Sequence, residues 1–123
     1  MNILLVEDSR DLVELFSKAI HREGWQVTAA ASVSEALAAL EQQTFDLVLS
    51  DIGLPGQSGI DFIRTVRESE KSGQRITTIA VTAYDDLELD AVACGFDAHI
   101  RKPVSPADLI QYVKNSVAFQ KMV

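Results

Sequence analysis

Five side chains in this sequence have the types and the placement to do chemistry: Glu7, Asp8, Asp51, Thr82 and Lys102. Each ends or closely follows an apolar run. Carboxylates brought together repel one another and raise each other's pKa unless a cation lies between them. An all-oxygen donor set suits a hard ion such as Mg2+ or Mn2+. A lone cation such as Lys102 would be attracted to such an acidic edge.

Every one of these residues also has a structural job open to it. Glu7 and Asp8 can cap a helix together with Ser9 and Asp11, where the positive helix end favours acids. Asp51 precedes Gly53, Pro55, Gly56 and Gly59, a composition that marks turns. That stretch fits neither G-x-G-x-x-G nor the G-K-[ST] ending of a phosphate-cradling loop. Thr82 and Asp85 match a capping box, and Lys102 could be a surface lysine. Local spacing leaves these alternatives open, so placement in the fold must decide.

The elements that would position them are legible. β-like runs cover Asn2 to Val6, Trp25 to Ala30, Asp46 to Ser50, Ile76 to Thr82 and Ala98 to Ile100. The first, third and fourth are apolar without alternation, as in strands of a parallel sheet covered on both faces. Helical segments separate them. Ser32 with Glu35, Ser58 with Asp61 and Ser105 with Asp108 match capping boxes, and Pro106 suits a first helical turn. Gly24, Gly73 and Gly95 punctuate the joins. Apolar stripes follow at Leu12, Phe16, Ala19 and Ile20, at Ile60, Ile63 and Val66, and at Leu109, Val113 and Val117.

Five strands alternating with five helices predict one doubly wound α/β domain over residues 1–123, with no output domain. In such sheets ligands bind outside the carboxyl ends of the strands, where strand order reverses. The acids, Thr82 and Lys102 would all meet at that edge.

Composition narrows the function. A chain of 123 residues with 47% hydrophobic and 24% charged residues is that of an independently folding domain. A net charge of -7 disfavours direct contact with nucleic acid, which needs clustered Lys and Arg. The lone Cys94 reads as a small buried hydrophobe in a reducing compartment. An apolar run begins directly after Met1-Asn2 with no basic leader or bilayer-length stretch, which predicts a cytoplasmic protein without membrane contact. His21 reads as surface, Trp25 as a strand packing residue, and no His or Cys pair has zinc or redox spacing.

Leu-Val-Glu7-Asp8 after the first strand, Asp51-Ile-Gly-Leu-Pro-Gly-Gln-Ser-Gly59 after the third, Val81-Thr82-Ala83 at the fourth and Lys102-Pro103 after the fifth together resemble the receiver domain of two-component response regulators. The resemblance runs over essentially the whole chain. It implies a flavodoxin-like receiver fold with strand order 2-1-3-4-5. It also implies that Asp51 accepts a phosphoryl group from a histidine kinase or histidine phosphotransfer protein, with Asp8 as direct metal ligand, Glu7 as an acid acting through water and the Gly53 carbonyl as a further ligand. Thr82 and Lys102 would bind the phosphoryl group and Ala83 would leave it room. A cis Lys102-Pro103 peptide is expected on the same ground.

The switch surface implied by the resemblance is the fourth helix, fifth strand and fifth helix, with Asp85, Asp86, Glu88 and Asp90 able to steer a basic partner. Two positions depart from the family's usual pattern. Glu7 replaces the commoner Asp, and His99 stands where a Tyr or Phe normally completes the switch, which would either weaken the aromatic half of the switch or make it depend on pH. Gly53 and Tyr84 occupy positions that tune phosphate lifetime in relatives. Lys114, with few other cations near it, leaves the usual dimerising charge set incomplete, so a monomer or weak dimer is expected. The terminal Lys102-Pro-Val-Ser-Pro-Ala-Asp-Leu109 is similar to receivers of hybrid kinases, so both a stand-alone protein and an excised domain stay open.

Competing classes make different demands. A flavodoxin-like flavin carrier needs a phosphate loop after the first strand, where this chain has two acids. A phosphatase with an aspartate nucleophile needs Asp-x-Asp where this chain reads Glu7-Asp8-Ser9. A receiver-like docking module that signals without phosphorylation would be expected to lack an acid, the Thr or the Lys, and all are present.

Overall fold

In the computed structural model, residues 1–51, 59–70, 75–82 and 95–122 are described, without the side chains of 59, 60 and 118–122. The strands are β1 (Asn2–Val6), β2 (Gln26–Ala30), β3 (Leu47–Asp51), β4 (Thr77–Thr82) and β5 (Ala98–Arg101). The helices among the described residues are α1 (Arg10–Arg22), α2 (Val33–Gln42), α3 (Gly59–Ser69) and α4 (Pro106–Met122). The helix expected after Thr82 falls outside them, as do Gly53, Ser58, Gly73, Ala83, Tyr84, Asp85, Asp86, Glu88, Asp90 and Cys94.

All four ladders are parallel and the strand order is β2-β1-β3-β4-β5, as expected. The unalternating runs are explained by two cores. Ile3, Leu5, Leu47, Leu49, Ile79 and Val81 pack with Phe16 and Ile20 of α1 and with Leu109 and Val113 of α4. Leu4, Val6, Val48 and Ala80 point the other way, onto Val33 and Ala36 of α2 and Phe62, Ile63 and Val66 of α3. Ile3 to Val6 of β1 therefore serve the two faces in turn, and each of them is apolar.

The caps act as local chemistry dictates. The Ser9 hydroxyl accepts from the Leu12 amide at 3.4 Å. Ser32 accepts from Glu35 N–H at 3.2 Å, while the Glu35 carboxylate reaches back to the Ala31 amide at 2.5 Å. Ser105 accepts from Asp108 N–H at 3.1 Å, and α4 opens on Pro106. Gly24, at φ 80°, ends α1 in the left-handed region that only glycine enters without strain.

Several strand ends differ from expectation by one residue. β2 starts at Gln26, opposite Asn2, because Trp25 follows directly on the turn at Gly24, although its side chain still packs against the core. β3 starts at Leu47, and just before it the Asp46 carboxylate accepts the Asn2 amide at 2.7 Å while the Asp46 amide donates to the Asn2 carbonyl at 2.9 Å. It runs on through Asp51, paired with Val81, and β5 gains Arg101 opposite Thr82.

Phe16 is 2% exposed and lies where α1 covers the sheet. Phe16→Ala is expected to cost about 3–5 kcal/mol, a large share of a typical domain's stability, measured as a lower urea midpoint at unchanged slope.

Candidate functional site

The register brings the chemical residues to one edge. Val6 lies opposite Ser50, Asp51 opposite Val81 and Thr82 opposite Arg101, so the carboxyl ends of β1, β3, β4 and β5 line up. Strand order reverses between β1 and β3, and Glu7, Asp8 and Asp51 lie at that reversal. Their side chains each offer an oxygen, all within 4.8 Å of one another. Glu7 is buried, Asp51 partly buried and Asp8 exposed.

Lys102 closes the group from the other side. Its ammonium donates to Glu7 Oε1 at 2.7 Å and to Asp51 Oδ2 at 3.2 Å, and its amide donates to the Thr82 carbonyl at 2.8 Å. Burial alone would push this lysine's pKa down. The hydrogen bond to Glu7 and the negative charges of Asp51 and Glu7 outweigh burial and hold it above the ordinary lysine value. Thr82 is 2% exposed.

The Glu7 carboxylate is engaged at both oxygens: Oε1 by Lys102 and Oε2 by the Ser9 amide at 3.2 Å. The capping alternative is therefore partly realised, since Glu7 does touch the start of α1. Sequence reasoning missed the direct Glu7-Lys102 pair, 95 residues apart in the chain. His99 lies on β5 opposite Ala80, partly buried, and His21 is exposed. The Lys102-Pro103 peptide is cis. An open cleft of about 320 Å³ adjoins the acids between the starts of α1 and α2, lined by Glu7, Asp8, Arg10 and Glu35. A larger one, about 680 Å³, lies at the opposite end of the sheet against Phe45, Asp46, Glu70 and Arg75, away from the acids.

The family model described as the response regulator receiver domain matches residues 3–114. The chain belongs to this family. Among relatives of this receiver domain, an uncharacterized 14.6 kDa protein of the sodA1 3′ region in Leptolyngbya boryana is 37% identical over 116 residues, covering 93% of this chain and 88% of that one. The transcriptional regulatory protein TcrX of Mycobacterium tuberculosis is 34% identical over 112 residues, covering 89% of this chain and 47% of its own. The receiver domain thus spans about half the length of that regulator. Response regulator TrrA of Thermotoga maritima, solved in complex with Mg2+-BeF, superposes with a TM-score of 0.82 at 29% identity, covering 94% of this chain and 97% of that one.

Receiver domains bind Mg2+ at an acidic pocket, and the donors here suit a hard cation: three carboxylates converge, with one ammonium to offset them. No helix among the described residues is long and apolar enough to cross a membrane.

An ion held by the native acids stabilises the fold, by about 2.7 kcal/mol at a hundred times its dissociation constant. Mg2+ should therefore raise the melting temperature. The rise should be larger in Lys102→Met, which removes the competing cation, and smaller in Asp8→Asn. Equal shifts in all three proteins, read by scanning calorimetry, would reject this electrostatic account.

Proposed function

We propose that this receiver domain is a phosphorylation-driven switch in which Asp51 is the phosphoacceptor, charged by a histidine kinase or a histidine phosphotransfer protein in the cytoplasm. The observation that carries the reading is the convergence of Glu7, Asp8 and Asp51 with the Lys102 ammonium at the strand-order reversal. Response regulators receive phosphoryl groups from histidine kinases, and the residue types required for that transfer are all at hand.

In the transfer, an Asp51 oxygen attacks the phosphorus of the donor. The new O–P bond forms as the bond from phosphorus to the leaving group breaks, and the leaving group departs with the bonding pair. Asp8 and Asp51, with the Gly53 carbonyl expected from the resemblance, would hold Mg2+, which would supply charge neutralisation for the transferring oxygens. Glu7, engaged at both oxygens, supports the site as a neighbouring charge. Lys102 gives its ammonium to a phosphoryl oxygen, with no proton transferred, and the Thr82 hydroxyl hydrogen-bonds another.

Rearrangement at Thr82 and β5 then alters the surface offered to a downstream protein. His99 holds the position of the usual aromatic, so that step depends on an imidazole. Partner recognition is by protein, not by nucleic acid, in keeping with the net charge of -7.

Incubation with acetyl phosphate and Mg2+ should add one phosphoryl mass to the wild type and none to Asp51→Asn, and a chelator should abolish the gain. An intact-mass spectrum without that gain in the wild type would move the reading to a docking module. His99→Tyr should leave the mass gain intact and change the affinity for the partner or its pH dependence; no change in either removes the imidazole from the switch.

A further inference from the structure

A second polar cluster lies at the far end of the sheet, outside the acidic site. Arg67, in the last turn of α3, sends Nη1 to the Ile76 carbonyl at 2.7 Å and to Glu70. Its Nη2 donates to Thr78 Oγ1 at 2.7 Å, the Gly95 carbonyl at 2.8 Å and Asp97 Oδ2 at 2.9 Å. Its Nε also reaches the Gly95 carbonyl, at 3.1 Å. Gly95 stands at φ 114°, a conformation open to glycine, and a Cβ there would meet Arg67 Cγ at 3.6 Å.

Asp97 completes the cluster. Oδ2 accepts the Thr78 amide at 2.8 Å, while Oδ1 is paired with Arg75. The Asp97 amide in turn donates to the Thr78 carbonyl at 2.9 Å. Burial would raise this carboxyl, but the Thr78 amide and the two guanidiniums hold it below the ordinary aspartate value.

This cluster stands where β5 begins. β5 is an edge strand of four residues, paired on one side with β4 from Ile79↔Ala98 to Thr82↔Arg101. In so short a ladder a slip of one residue would turn every side chain to the other face. Ile100 would leave the core and Lys102 would leave the acids. Two independent ties oppose the slip: Asp97 exchanges bonds with both the amide and the carbonyl of Thr78, and Arg67 fastens Gly95 and Asp97 to α3.

We propose that Arg67 and Asp97 are positioning residues for phosphoryl transfer, setting the register of β5 and with it the placement of Lys102 beside Asp51 and of Thr82 opposite Arg101. They act from roughly 16 Å away, five residues along an extended strand. The inference rests on the phosphoacceptor reading of Asp51. It makes a split prediction, because Glu7 and Asp8 follow β1 and Asp51 ends β3, and the ladder between those strands does not involve β5.

The test uses the whole chain with Asp97→Asn, Asp97→Ala and Arg67→Lys, each held below its melting temperature as shown by circular dichroism. Mg2+ affinity is measured by calorimetric titration. The initial rate of Asp51 phosphorylation by acetyl phosphate is measured by intact mass at saturating Mg2+. Affinity should hold or rise, because a displaced Lys102 no longer competes for the acids, while the rate falls about tenfold or more in Asp97→Ala and Arg67→Lys, since small misplacements of a reacting group are that costly. Asp97→Asn, which keeps an acceptor for the Thr78 amide, should fall between these and the wild type. Wild-type rates in folded variants, or rate and affinity falling together, would overturn the proposal. If the wild type itself takes no phosphate, the phosphoacceptor reading fails separately. The register is then read by NMR, and cross-strand contacts between Thr82 and Arg101 that persist unchanged in Asp97→Ala would overturn the proposal on its own terms.

Discussion

Three carboxylates within 4.8 Å of one another are the constraint on which the rest of this molecule depends. Two like charges 4 Å apart repel by about 4 kcal/mol at an effective dielectric of 20, so the group is tenable only with cations in reach. Lys102 supplies one positive charge from the chain itself and bonds two of the three acids. Among the described residues one ammonium bonds to this group of three carboxylates, and the charge it leaves unbalanced would favour a divalent ion.

Holding such a group needs a scaffold that cannot relax away from it. Parallel strands covered on both faces supply this, because the residues before each acid are locked into opposite cores. Leu5 and Val6 precede Glu7, and Leu49 and Ser50 precede Asp51, each without appreciable exposure. Retreat of either acid would drag apolar side chains into water at about 25 cal/mol per Å². The repulsion is therefore stored in the folded state and is available to favour whatever neutralises it.

Much of this was legible in the sequence. Unalternating Ile, Leu and Val runs specify strands covered on both faces, and serine caps with Pro106 mark helix starts, because those signals are local. The acids, Thr82 and Lys102 could be assigned to one edge because parallel topology sends all strand ends the same way. Strand limits at Trp25 and Asp46 were displaced by one residue, since register is settled by the neighbouring strand and not by the run itself. The Glu7-Lys102 pair and the Arg67 cluster were not seen, because partners so far apart carry no spacing signal. Arg67 did leave one trace. It stands four residues after Ile63 and beside Val66, on the edge of the buried stripe of α3, where a cation must find partners.

The pairing of Lys102 with Glu7 bears on how the proposed switch is driven. Moving a two-state equilibrium from 1:99 to 99:1 takes about 5.5 kcal/mol of differential stabilisation, and a hydrogen bond to a charged group contributes about 1.5–3 kcal/mol. A lysine that already bonds Glu7 at 2.7 Å gains less from a phosphoryl oxygen than one drawn from water, because one charged bond is exchanged for another. On the proposed reading Lys102 would therefore serve the transfer more than the switch. The larger share of the proposed conformational drive would fall to Thr82, which is buried on β4, the strand paired with the one that carries His99. A shift of its hydroxyl toward a phosphoryl oxygen would change what β5 packs against, and among the described residues no second strand pairs with the open side of that four-residue edge strand.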